Sequence, residues 1–173
     1  VSVTRKYEIG QTPSGTSAFE KRGIAVDVPV WDATKCIQCN QCSYVCPHAA
    51  IRPVAMTEAE AANAPEGMQM KDMTQMPGYK FAIVVSAYDC TGCGSCVNVC
   101  PDKVQAITMQ NFEANADEQK YFDYAVTLED KQDVIEKFKL ASVKGSQFKQ
   151  PLLEFSGACA GCGETPYAKL ITQ

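Results

Sequence analysis

The sequence is short of four things. It has a single histidine, His48. Zinc sites usually set two ligands, a long gap and two more, and many recruit imidazole, so little here suits zinc. It has no apolar core of a secretory signal in its first residues, which run VSVTRKYEIGQ. Without export, ten cysteines cannot be read as a disulfide framework. They point instead to a reducing, cytoplasmic setting in which thiolates serve metals. It has no long hydrophobic run: the longest, residues 81–85 (FAIVV), is far too short to cross a bilayer. It also has no excess of positive charge. A net charge of −4 and a pI near 5.0 exclude a nucleic-acid surface.

What is present is one cysteine signature, written twice. Cys36, Cys39, Cys42 and Cys46 read C-x2-C-x2-C-x3-C and are closed by Pro47. Cys90, Cys93, Cys96 and Cys100 repeat it and are closed by Pro101. This is the spacing of proteins that hold two 4Fe–4S clusters, in which the fourth cysteine of each run ligates the other cluster. The expected sets are therefore Cys36, Cys39, Cys42 and Cys100 for one cluster, and Cys90, Cys93, Cys96 and Cys46 for the other.

The two motifs are an internal repeat offset by 54 residues. Each Cys-Pro precedes a short apolar stretch, at residues 49–51 and 104–107, so each half reads as a cluster loop, a short helix and a strand. Small residues crowd the second loop (Gly92, Gly94, Ser95), where backbone must approach inorganic sulfur. Between the halves lies an insertion, residues 52–78. Its TEAEAANA stretch reads as a helix with Thr57 as N-cap and Pro65 as its end. Met68, Met70, Met73 and Met76 follow as packing material, with partner contact the second reading. Residues 79–86 read as a buried strand. Trp31 is expected beside the first cluster loop. Residues 1–23 read as a surface connection, 128–140 as an amphipathic helix and 143–150 as a polar connector.

The last segment carries a second signal. Residues 152–155 (LLEF) read as a short strand that feeds Cys159 and Cys162, a C-x2-C pair left over once two clusters are filled. Thr165 and Pro166 should start a helix as N-cap and N1. A third metal centre would need two further ligands. The dithiol alternative lacks the βαβ pattern that thioredoxin-like pairs require. With no initial Met and half of a metal site, the chain reads as part of a longer protein.

The stretches EKRGIA (20–25), IQCNQC (37–42), PHAAIRP (47–53) and GACAGCGETPY (157–167), with Pro29 and Trp31, resemble an internal segment of the pyruvate:ferredoxin (or flavodoxin) oxidoreductases. That resemblance implies oxidative decarboxylation of pyruvate on thiamine diphosphate and Mg2+ to give acetyl-CoA. It implies electrons passed singly through three 4Fe–4S clusters to an external ferredoxin or flavodoxin, within a cytoplasmic homodimer that touches neither membrane nor nucleic acid. Cys159 and Cys162 would be two ligands of the cluster nearest the thiamine, and Glu164 would contact the thiamine. No Mg–diphosphate segment or pyruvate-binding residue falls within these residues, so the chain has no catalytic residue of its own.

The expected fold class is α+β: a bacterial two-cluster ferredoxin-like domain with an inserted helix-loop, followed by the truncated start of an α/β domain. The expected divisions are a connecting segment at 1–26, the two-cluster domain at 27–114, a helical linker at 115–150 and the start of a thiamine diphosphate-binding domain at 151–173. The competing reading is a stand-alone eight-iron ferredoxin, or an electron-transfer subunit of another redox complex. A free carrier has no use for Cys159 and Cys162, and that pair separates the two.

Overall fold

A computed structural model describes residues 16–173; the reading of residues 1–15 as a surface connection lies outside the described residues. Two small antiparallel sheets form the centre. The first pairs β1 (Asp27–Trp31) with β5 (Ile107–Asn111), placing Trp31 opposite Ile107. The second has the order β2-β4-β3, with β2 Ile51–Thr57, β3 Lys71–Asp72 and β4 Tyr79–Val85. Each sheet joins the entering strand of one half to the leaving strand of the other. The sequence repeat is thus a pair of halves that exchange strands. Between the sheets the helices α1 (Gln41–Tyr44) and α3 (Ser95–Val99) pack on each other, one following each cysteine loop.

The central strand β4 is buried through its last five residues, as its run of Phe, Ala, Ile and Val requires. Pro53 interrupts the apolar alternation of β2 without penalty because β2 is an edge strand. Phe81 is fully buried and meets Trp31 edge-on at 6.0 Å and Phe148 at 6.2 Å. Trp31 is therefore a core residue packed on β4. Of the methionines between the halves, Met68 and Met73 are buried in the same core, and Met70 and Met76 pack against it. Helix α2 (Glu58–Ala62) starts with a full capping box. The Glu60 N–H donates to Thr57 Oγ1 (3.3 Å), and the Thr57 N–H donates to Glu60 Oε2 (2.8 Å).

Four segments depart from the sequence expectation. Residues 128–140 form a helix only at Gln132–Phe138 (α6). Thr127 and Leu128 instead close the end of α5 (Gln119–Ala125) with bonds back to Tyr124 and Ala125, and α4 (Phe112–Asn115) precedes it. At the other end, Lys139 adopts a φ of +64° that terminates the helix. Residues 143–150 are more than a polar connector. Ser142 caps α7 (Val143–Ser146), and the turn that follows inserts Phe148 against Phe81. Residues 152–155 form no strand; their contacts at the edge of β2 go through a side chain and a single backbone bond. Phe155, at φ +47°, donates its N–H to His48 O (2.9 Å), and Glu154 pairs with Arg52. The final helix α8 (Thr165–Thr172) takes Glu164, not Thr165, as its N-cap residue.

Candidate metal centres

The eight repeated cysteines converge on two cavities. One is lined by Cys36, Cys39, Cys42 and Cys100, with Ile83 and Ile107 as apolar walls. The other is lined by Cys90, Cys93, Cys96 and Cys46, with Ile51, Val85 and Met109. The strand exchange explains the crossed sets. The cysteine before each Cys-Pro turn leads into a strand that belongs to the other half's sheet, so its sulfur is delivered to the other half's loop. Strand β4 is a wall shared by both cavities through Ile83 and Val85, two residues apart on one face.

The loops are held open by backbone in the left-handed region at equivalent positions. Gln38 (φ 58°) corresponds to Gly92 (φ 67°), and Asn40 (φ 62°) to Gly94 (φ 73°). Glycine adopts this conformation without steric cost, and Gln and Asn do so at some expense. In the first loop, tertiary bonds offset that expense. Gln38 Nε2 donates to Asp72 O (2.7 Å), and Gln38 Oε1 accepts from the Thr74 N–H (2.8 Å). Asn40 Nδ2 donates to Lys144 O (2.9 Å). The first loop is thereby locked under residues 72–74 and α7, whereas Gly94 of the second has open space beside it.

The donor set suits iron–sulfur cubanes. All eight side chains are thiols, none in a disulfide. Four of the sulfurs line each cavity. Backbone N–H groups aim at the sulfurs, in matched positions from Gln38 to Cys36 Sγ (3.3 Å) and from Gly92 to Cys90 Sγ (3.4 Å), and also from Ala106 to Cys100 Sγ (3.3 Å). Such bonds set the potential of a cluster. Burial pushes the Cys42 thiol well up, and its neighbours Cys96, Cys36 and Cys39 push it further. Burial, then Cys46, Cys90 and Cys93, raise Cys96 to about 12. Burial also raises Cys90 to about 11, opposed by the Gly92 N–H. Crowded, buried thiols of this kind ionise when a cationic metal core replaces their protons. Cys42 lies on α1 and Cys96 on α3, which pack on each other, so the two cavities are neighbours.

The comparisons with known proteins give the same picture. A model described as a 4Fe-4S dicluster domain matches residues 35–104, and a second with the same description matches residues 82–134. The chain is 54% identical over 173 residues to the pyruvate-flavodoxin oxidoreductase of Enterobacter agglomerans, covering all of this chain and 14% of that protein. It is 56% identical over 167 residues to the pyruvate:ferredoxin oxidoreductase of Moorella thermoacetica, covering 95% and 14%. It is 43% identical over 175 residues to the pyruvate-flavodoxin oxidoreductase of a Nostoc species, covering 95% and 14%. The chain belongs to the pyruvate:ferredoxin (flavodoxin) oxidoreductase family. It spans about one seventh of the length of the relatives it matches and carries their two-cluster electron-relay segment. Among the described residues no helix is long and apolar enough to cross a membrane.

In this member of the family, Cys159 is exposed, and the Cys162 N–H closes a turn onto Cys159 O (3.1 Å). The backbone N–H groups of Thr165 and Glu164, with the Thr165 hydroxyl, hold the Cys162 thiol below its ordinary range, as expected beside the start of α8. The loop between the two cysteines rests on the second cavity: a methyl built on Gly161 would meet Cys93 Cβ at 3.5 Å. Burial raises the Cys93 thiol, but bonds from the Ser95 hydroxyl, the Ser95 N–H and the Gly161 N–H outweigh it and leave it lowered. Glu164 is exposed at the head of α8 and caps nothing with its side chain. His48 is buried between the second cavity and this loop, with Nδ1 donating to Ser156 O (3.1 Å).

Sequence reasoning passed over Gln38, Asn40 and Lys169. The first two had a usable signal, since aligning the repeat on itself sets them against Gly92 and Gly94. Lys169 had none, because a lysine on a short helix reads as exposed. It is almost fully buried, with Nζ donating to Ser43 O at 2.7 Å.

The crossed cavities make a direct prediction. Removing Cys46 by Cys46→Ala is expected to destroy the cluster of Cys90, Cys93 and Cys96 and to leave the other signal in the EPR spectrum of the reduced protein. Cys100→Ala is expected to do the converse. Loss of the same-motif cluster in either variant would show that the ligands do not cross.

Proposed function

We propose that this chain conducts electrons within an enzyme that oxidises pyruvate, from thiamine-bound substrate to an external ferredoxin or flavodoxin. The observation that carries the reading is the pair of neighbouring cavities, each closed by three cysteines of one motif and the fourth of the other. A 4Fe–4S cluster takes up and releases one electron at a time when bound in such a site. The eight cysteines Cys36, Cys39, Cys42, Cys46, Cys90, Cys93, Cys96 and Cys100 are its ligands in the crossed sets. The apolar walls keep water from the sulfurs, and the N–H groups of Gln38, Gly92 and Ala106 support their negative charge.

Cys159 and Cys162 hold a third 4Fe–4S cluster together with two cysteines of the wider enzyme. Gly161 seats their loop against Cys93, so the second cavity is the neighbour of that pair. Glu164, at the head of the same helix, contacts thiamine diphosphate, whose Mg2+ is held outside these residues. The protein works in the cytoplasm as a homodimer. The divisions at residues 26, 114 and 150 separate connector, two-cluster domain, linker and the start of the thiamine domain. The segment from α2 to β3 is an insertion that locks the first cysteine loop through Gln38. The seating of the Cys159 loop on Cys93 favours this reading over that of a free eight-iron carrier.

Iron analysis of the chain reconstituted without oxygen tests it. About eight irons in two interacting cubanes are expected, with no complete third cluster from Cys159 and Cys162. Stoichiometric zinc and a silent EPR spectrum would sink the assignment.

A further inference from the structure

Lys169 is the most deeply buried charged group of the described residues, at 1 % exposure. It projects from α8 beneath the end of α1. Its Nζ donates to Ser43 O (2.7 Å), Tyr44 O (3.3 Å) and Cys46 O (3.4 Å), and to Gln147 Oε1 (3.4 Å). Among the described residues it forms no ion pair with a carboxylate: the six pairs found there use other cations. An ammonium taken out of water with only carbonyl dipoles around it is costly, and such charges persist where an anion compensates them. Its Nζ bonds the carbonyl of Cys46 and that of Ser43, the residue after Cys42, so the two cysteines beside it are Cys46 and Cys42. These two belong to different cavities, Cys42 to the first and Cys46 to the second. Arg52, the other cation near by, is already paired with Glu154.

We infer that Lys169 is the shared counter-ion of the two ferredoxin-type clusters, a positioning residue whose fixed positive charge favours their reduced forms. The inference rests on the two-cluster reading above. Each cluster gains negative charge on reduction, and a cation buried beside one ligand of each stabilises that charge more than it would in water. The same contact ties α8, and with it the loop of Cys159 and Cys162, to the turn that leads from α1 to Cys46. Loading the two cavities and seating the C-terminal segment are thus joined through one side chain.

The test is an EPR-monitored redox titration of the full-length protein, purified without oxygen, with iron counted in parallel. The variants are Lys169→Gln, Lys169→Arg and, as a control, the exposed Lys137→Gln. Lys169→Gln is expected to keep its iron and to make both ferredoxin-type clusters harder to reduce by about tenfold in equilibrium constant, which is ~59 mV for a one-electron couple. Lys169→Arg and Lys137→Gln are expected to titrate like the parent. Unchanged potentials in Lys169→Gln would overturn the inference, and so would an equal displacement in Lys169→Arg. If Lys169→Gln loses its clusters, retention of clusters and potentials in Lys169→Arg supports the counter-ion role; loss in both overturns it in favour of a shape-specific wedge. A parent protein without 4Fe–4S signals would instead bring down the two-cluster reading itself.

Discussion

Stripping the iron from this protein with a chelator, in the absence of oxygen, is expected to abolish its cooperative thermal transition and most of its fixed tertiary structure. The reason is where the cysteines sit. Cys42 and Cys96 belong to the main hydrophobic core, and Cys36, Cys46 and Cys100 pack against it. The two cavities they line lie between the sheets, walled by β4 and β5, so the metal sites are part of the core and not an attachment to it. Without metal, eight thiols replace two compact inorganic cores. Burial holds the Cys90 and Cys96 thiols protonated, raised to about 11 and about 12, when no cationic core replaces their protons, and the contacts such cores make with the cavity walls are lost. The elements around them are short: α1 has four residues and α3 five. Helices of that length hold no structure alone. Folding free energy and metal-binding free energy are then one quantity. Near-UV and far-UV circular dichroism on heating, before and after chelation, measures it. An apo protein that melts in the same cooperative transition as the loaded one would show that the polypeptide core suffices.

That coupling also explains what could be read from the sequence. Metal ligation has strict spacing, so the eight cysteines and their crossed assignment are visible as a pattern. The strand at residues 79–86 is visible because a central strand must be apolar throughout, and the Thr57 cap because capping is local chemistry. The segment after Phe112 is poorly legible in the sequence because its structure is imposed from outside. Phe148 becomes a core residue only because Phe81 is there to receive it. LLEF at 152–155 makes no ladder with a sheet: Glu154 pairs with Arg52 through its side chain. The segment's backbone goes to His48, more than a hundred residues away in sequence. Lys169 is the extreme case: nothing around it in sequence marks it, and its partners Ser43 and Cys46 come from the other end of the chain. Local rules found what local forces fix, and long-range packing decided the remainder.

In the full-length enzyme, Cys159→Ser is expected to leave both ferredoxin-type clusters intact while reducing pyruvate-driven reduction of an external acceptor to background. Cys159 is exposed, lines neither of the two cavities, and closes a turn with Cys162 on the surface of the second loop. Its loss therefore removes no packing from the core, and the iron of the eight repeated cysteines should stay in place. What it removes, on the proposed assignment, is one ligand of a third site, and serine is a poor replacement for a thiolate that must hold iron. On the proposed assignment, with Gly161 resting against Cys93, that third site would be the step adjoining the second cavity. Dithionite, which reaches the two ferredoxin-type sites directly, should still reduce them in the variant. Glu164→Ala separates cofactor contact from relay: all three clusters should remain, with thiamine binding or its reactivity impaired, because the Glu164 side chain caps nothing in α8 and its removal leaves the helix standing. Pyruvate-driven reduction at the parent rate in Cys159→Ser would remove the third site from the path and return the chain to the status of an eight-iron carrier.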